Sequence, residues 1–208
     1  TSAVTVPVMV DADTGYGDVS NVADTVRRLE HDGASAIQIE DQTWPKRCGH
    51  LQGKSVERRE VAVRKVRAAV RARSEGTLII ARTDARATDG LDEAIERGRL
   101  FHEEGADVVF IDAPESVAEL ERIAAEVPGI RLVNMSESGR TPALPLAEFA
   151  RLGFEIVLYP TSALRIASAA FVQFFADLRR DGDSSAWVAR MQSLDDLNAL
   201  VGLGEIQA

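Results

Sequence analysis

Cysteine is almost missing from this chain. One thiol, Cys48, stands in 208 residues, so no internal disulfide framework can form, and a lone free thiol suits a reducing compartment. Basic charge is in deficit, with 24 Lys and Arg against 33 Asp and Glu for a formal net charge of −9. That argues against a protein that tracks nucleic-acid phosphates, which normally shows a basic stripe. Small anionic substrates stay open, because a few local cations or a bound metal can reverse the field inside a cleft. No apolar run approaches the ~18 residues of a membrane span, so no membrane partner is expected. The opening TSAVTVPVMVDAD lacks a basic stretch followed by a long apolar one. No leader is expected there, and a cytoplasmic location is. Linkers and low-complexity segments are also lacking.

What the chain does have is a repeat. An amphipathic helical stretch, a glycine and a short apolar run recur around Gly33, Gly76, Gly105, Gly129 and Gly153, at spacings of 43, 29, 24 and 24 residues. Alternating helix and strand at this period builds a parallel sheet. Strands are expected at Val6–Asp11, Ala36–Glu40, Leu78–Arg82, Val108–Asp112, Arg131–Asn134 and Glu155–Tyr159. Most are nearly continuous apolar runs, as in strands covered on both faces. The intervening helices carry stripes at helical spacing: Val22, Val26 and Leu29; Val63, Val66 and Val70; Ala94, Ile95 and Phe101; Leu120, Ile123 and Val127. A last long helix is expected from Ser162 to about Arg180, with further helix over Trp187–Leu200. Six βα units in one domain, 1–208, allow either an open doubly wound sheet or an eight-unit barrel with two units missing.

The 43-residue spacing holds an insertion after the second strand, DQTWPKRCGHLQGKSVE. A long polar insertion at the C-terminal end of a parallel strand is where an active-site lid belongs. Parallel α/β proteins carry their chemistry at those ends. Here they read Asp11-Ala12-Asp13, Glu40-Asp41-Gln42, Arg82-Thr83-Asp84, Asp112, Asn134 through Glu137, and Tyr159-Pro160. Asp11, Asp13 and Glu40 would converge on one rim, and like charges that close repel unless a cation neutralises them. Hard oxygen ligands in that position suit Mg²⁺. Arg82 is either a bidentate partner for a substrate carboxylate or one half of a structural ion pair with Asp84 or Glu40.

Within the insertion, Cys48 follows Lys46 and Arg47 and precedes Gly49 and His50. Neighbouring cations lower a thiol pKa, so Cys48 is either a reactive thiol or a passive one in a charged loop. One Cys and one His without a second pair do not make a zinc site. Gly15-Tyr16-Gly17 is half of a phosphate-binding glycine loop, or a turn that brings Tyr16 to the site. His31 and His102 read as surface residues, Trp44 and Pro45 as stiffeners of the lid's stem, and Trp187 as packing.

The strings VDADTGYGDVSNVADTV, IEDQTWPKRCGHLQGK, ARTDARATDGLDEAIERG and LVNMSESGRTP together resemble the isocitrate lyase / phosphoenolpyruvate mutase superfamily, and most its short, lyase-type branch. The resemblance runs from Val6 to about Asp195. It implies a (β/α)₈ TIM-type barrel, here lacking the first two βα units and the turn that cradles the keto-acid end of the substrate. It implies Mg²⁺, sometimes Mn²⁺, held directly or through water by Asp11, Asp13 and Glu40. It also implies a gating loop of Lys46, Arg47, Cys48, Gly49 and His50, with Cys48 as acid/base. Arg82 matches the arginine that binds a substrate carboxylate, and Asn134 and Glu137 match further site residues. Asp112 stands where this branch commonly has Glu. A homotetramer exchanging the C-terminal helical region, 162–208, is implied as well.

The implied reaction is Mg²⁺-dependent carbon–carbon cleavage of a methylisocitrate- or 2-alkylmalate-like 2-hydroxy acid to an α-keto acid and a carboxylic acid. The rivals are an oxaloacetate hydrolase, a phosphonomutase and a non-catalytic barrel fragment. Six units where the family builds eight lead us to expect ~50–80 further N-terminal residues in the gene product.

Overall fold

The computed structural model describes residues 4–47, 53–74 and 76–206. It divides into two compact units at Pro160/Thr161. In the first, strand and helix alternate: β1 (Met9–Asp11), α1 (Val19–His31), β2 (Ala36–Glu40), α2 (Arg59–Ala72), β3 (Leu78–Thr83), the short α3 (Ala85–Thr88), α4 (Leu91–Glu103), β4 (Val108–Ile111), α5 (Val117–Glu126), β5 (Ile130–Asn134), α6 (Leu146–Leu152) and β6 (Ile156–Leu158). All six expected strands are present. The first is shorter than expected, starting at Met9 rather than Val6.

The strands pair in parallel in the order β1-β2-β3-β4-β5-β6. A doubly wound sheet reverses direction at a switch point; this one never does. The strands curl in one direction, as a partial barrel of the TIM type does. Among the described residues, β1 and β6 each have a single strand neighbour.

Register decides which residues share a face. Gln38 pairs with Ile80, Glu40 with Arg82, Arg82 with Phe110, and Phe110 with Leu132. Side chains alternate along a strand, so Asp11, Glu40, Arg82, Asp112 and Asn134 belong to one face. Deeper on that face, Ile80, Val108, Phe110 and Leu132 form a buried cluster. The opposite face meets the helices. Ile37, Ile39 and Ile79 pack with Val22 and Val26 of α1, Ala81 with Val66 and Phe101, and Val109, Ile111 and Val133 with Ile95, Leu120 and Ile123. Both faces are thus covered, which is why the strands are apolar on both sides.

The second unit holds α7 (Ser162–Asp181), a 3₁₀ turn at 185–190, α8 (Leu194–Leu200) and α9 (Leu203–Ile206). Trp187 is a packing residue here. It is buried edge-on against Phe174 and donates Nε1–H to Asp177. Among the described residues, no helix is long and apolar enough to cross a membrane.

Candidate active site

The polar rim begins at β1. Asp11 accepts the backbone N–H of Asp13 at 2.9 Å, and the Asp13 carbonyl in turn accepts the N–H of Glu40 at 2.8 Å. Asp13 has a φ of +51°, a left-handed conformation that aspartate tolerates better than most residues. This turn locks the first two strand ends side by side. Lys46, at the start of the insertion, reaches back to Asp13 at 2.5 Å. Burial works against the Lys46 charge, but the hydrogen bond it donates to Asp13 and the charges of Glu40 and Asp11 outweigh it and raise its pKa.

Glu40 is the anomaly. It is 2% exposed, and neither carboxylate oxygen has a hydrogen-bond partner. Arg82 Nε stands 3.6 Å from Oε2, an ion pair without a hydrogen bond. Burial pushes its pKa up to about 7, with Asp84 and Asp11 adding to the rise against Arg82 and Lys46. A buried charge without partners is costly, and natural proteins keep one where something else is to bind.

The carboxylates of Asp41, Asp84 and Asp112 are placed differently from Glu40. Asp41 is saturated, accepting from the Thr83 hydroxyl at 2.6 Å, the Asp84 N–H at 2.9 Å and Arg97 at 2.9 Å. Asp84 takes both Nε and Nη2 of Arg82, at 2.9 and 3.1 Å, and Lys54 at 2.8 Å. Burial opposes its charge, yet Arg82 and Lys54 outweigh that and hold its pKa down. Asp112 has Arg82 Nη2 at 3.2 Å and Lys54 at 3.4 Å on Oδ2, while its buried Oδ1 is unpartnered. Burial raises its pKa. Arg82 lies 5.1 Å over the Phe110 ring. Both structural ion pairs weighed for Arg82, with Asp84 and with Glu40, are present.

Asn134 closes β5 with its Oδ1 buried and unpartnered. Glu137 lies beyond it in the following loop, exposed. Lys54 and Arg97 escaped the sequence reading. Only Lys54's place inside the insertion could have drawn notice; Arg97 sits mid-helix with no signal at all.

The two arms of the insertion are held together at their base. Gln42 and Arg47 exchange two hydrogen bonds at 2.9 Å. Thr43 N–H reaches the Ser55 carbonyl at 2.9 Å, and Gln42 bridges Val56 antiparallel. Cys48, Gly49 and His50 lie outside the described residues.

Two other expectations change. The Gly15-Tyr16-Gly17 turn is not a phosphate loop, because the Asp18 carboxylate already caps the first N–H groups of α1. Tyr16 instead stands exposed at a cleft of about 560 Å³, with Trp44, Val61 and Lys65 among its walls. His102 is not a plain surface residue. It is half-buried, and its Nδ1 is enclosed without a partner.

No three or more His, Cys, Asp or Glu side chains among the described residues are arranged to hold a metal ion directly. The donor set nevertheless fits hydrated Mg²⁺, which keeps several waters and needs only one or two carboxylates. Glu40 has two unused buried oxygens, and Asp11 is close enough to disturb its titration.

The chain matches the model of the phosphoenolpyruvate phosphomutase family over residues 1–179. It is 44% identical over 206 residues to 2,3-dimethylmalate lyase of Eubacterium barkeri, covering 99% of this chain and 71% of that protein. It is 42% identical over 202 residues to 2-methylisocitrate lyase of Aeropyrum pernix, covering 97% of this chain and 65% of that protein. It therefore spans about two thirds of the length of such relatives. A crystal structure of 2,3-dimethylmalate lyase superposes with a TM-score of 0.90 at 37% identity, over 97% of this chain and 67% of the other. A structure of phosphonopyruvate hydrolase in complex with oxalate and Mg²⁺ does so at 0.85 and 33%, over 99% and 72%.

Proposed function

Because this chain belongs to the phosphoenolpyruvate mutase/isocitrate lyase superfamily, as an enzyme of its carbon–carbon lyase side, we propose that it cleaves a 2-hydroxy di- or tricarboxylic acid of the alkylmalate or methylisocitrate type. The observation that carries this reading is the rim itself. An orphaned carboxylate, Glu40, and a guanidinium, Arg82, face one another on the same side of the sheet.

Glu40, Asp11 and Asp13 would hold Mg²⁺ (or Mn²⁺), largely through water. When bound, the ion would supply Lewis-acid stabilisation of charge on the keto-acid oxygens. Arg82 binds a carboxylate of the substrate, with Asn134 and Glu137 lining the same rim and Asp112 setting the position of Arg82. The bond next to the hydroxyl-bearing carbon breaks in retro-aldol fashion. The hydroxyl proton leaves to a base, the hydroxyl oxygen becomes the carbonyl of an α-keto acid, and the electron pair of the broken bond passes to the departing acid. That carbanion takes a proton from the Cys48 thiol, a general-acid step that leaves a thiolate to be reprotonated from solvent. Lys46, Arg47, Gly49 and His50 form the loop that carries Cys48, and its closure keeps water from the carbanion. The Lys46–Asp13 and Gln42–Arg47 contacts give that loop a fixed root. The working form is a homotetramer with exchanged C-terminal helices.

The test is a substrate panel with Mg²⁺. Release of pyruvate or glyoxylate from alkylmalates or methylisocitrate, lost in Cys48→Ser, is expected. Turnover of oxaloacetate alone would make the chain a hydrolase, and formation of phosphonopyruvate a mutase. No Mg²⁺ binding and no turnover would leave a non-catalytic fragment.

A further inference from the structure

Lys54 is a buried cation at the rim that the proposed reaction leaves without a role. It lies near the end of the insertion, where the chain runs back antiparallel along residues 41–43, with Glu57 N–H bonded to the Asp41 carbonyl at 2.8 Å. This return drops the Lys54 side chain inward until it is 3% exposed. Its ammonium then meets two carboxylates, Asp84 at 2.8 Å and Asp112 at 3.4 Å. Arg82 meets the same two, Asp84 at 2.9 Å and Asp112 at 3.2 Å. The four groups close a ring of alternating charge.

We propose that Lys54 is a positioning residue whose fixed charge shares Asp84 and Asp112 with Arg82 and so keeps the Arg82 guanidinium free to bind a substrate carboxylate. The reasoning is electrostatic. Asp84 and Asp112 are 0% and 1% exposed, and a buried carboxylate without a counter-charge is strongly disfavoured. With Lys54 present, two cations answer two carboxylates. Arg82 needs only Nε and Nη2 for Asp84, and Nη1 makes no hydrogen bond among the described residues. Without Lys54, both carboxylates compete for a single guanidinium. Arg82 is then drawn into the protein's own anions, and an incoming carboxylate meets a site with one more negative charge. The role is electrostatic and geometric; Lys54 itself need not touch the substrate.

This rests on the reading of Arg82 as the carboxylate-binding group, so the experiment separates the two. Wild type, Lys54→Met, Lys54→Arg and the double variant Lys54→Met/Asp112→Asn are compared in Mg²⁺-dependent turnover and in calorimetric binding of oxalate with Mg²⁺. Lys54→Met should raise KM, and the oxalate Kd, by about tenfold while kcat falls far less. Lys54→Arg should restore most of the affinity by returning the charge, and the double variant should do so by removing the excess negative one. The inference is overturned if Lys54→Met binds as wild type does. It is equally overturned if affinity falls, thermal stability falls with it, and neither second variant restores binding, since Lys54 would then be a structural prop. A wild type that binds oxalate but cleaves nothing sinks the lyase reading while the binding series still judges Lys54. A wild type that binds no oxalate removes the premise for Arg82, and the inference with it.

Discussion

Glu40 and Asp41 are neighbours in sequence with opposite situations. Asp41 has three donors; Glu40 has none. A carboxyl whose folded pKa lies above its unfolded value binds its proton more tightly when folded. Its contribution to stability is therefore present below the ordinary value of 4.5 and lost as pH rises through about 7. The loss is on the order of 3 kcal/mol. In Mg²⁺-free buffer, Glu40→Gln should match wild type in thermal melts near pH 4.5 and exceed it in stability near pH 8; assayed with Mg²⁺, it should lose activity throughout. Equal melting at both pH values would refute this account of Glu40. Asp41 supports the converse experiment. Arg97 is 5% exposed on its side chain and ties Asp41, Glu93 and the Glu57 carbonyl together. Arg97→Met strands a buried charge and should cost roughly 3–5 kcal/mol in urea denaturation.

At the scale of elements, the rim depends on how tightly β1 turns into α1. Gly15 has a φ of +80°, and a Cβ there would stand 2.5 Å from the Val22 side chain, on the buried face of α1. Backbone strain and overpacking act together, so Gly15→Ala should lose roughly 1–3 kcal/mol of stability. Since the same turn aligns Asp13 with Glu40, Mg²⁺ affinity measured by calorimetry should weaken as well. A variant that is destabilised but binds Mg²⁺ as wild type does would show the turn to be a packing feature alone. The insertion's root follows the same logic. Its base is held by backbone pairing between its two arms and by the Gln42–Arg47 exchange.

At the scale of the molecule, the second unit keeps little of its apolar surface inside. No residue of α7 is buried, and Leu164, Ile166, Phe171, Val172 and Phe175 are 62–71% exposed. An apolar face of that extent marks an association surface. With the proposed helix exchange, Phe171→Asp/Phe175→Asp should convert the assembly to smaller species in light scattering and leave the Met9–Leu158 sheet folded by circular dichroism. An unchanged mass would rule out that face as the contact.

The strands and the polar residues that close them were legible in the linear chain. Period-2 alternation and parallel pairing are local rules, so Asp11, Glu40, Arg82, Asp112 and Asn134 could be read onto the rim from the ends of their apolar runs. Gly33 and Gly105, with φ of +92° and +95°, likewise end helices where a glycine signal predicts. Only the tertiary structure decided which rim charge is satisfied and which is not. Asp41 owes its saturation to Arg97, 56 positions away, and Lys54 reaches Asp84 and Asp112 across 30 and 58. Ion pairing at that separation leaves no pattern in the linear chain, because any buried carboxylate accepts any cation the fold delivers. Glu40 and Asp41 look alike until the partners arrive, and the chemistry of the site lies in that difference.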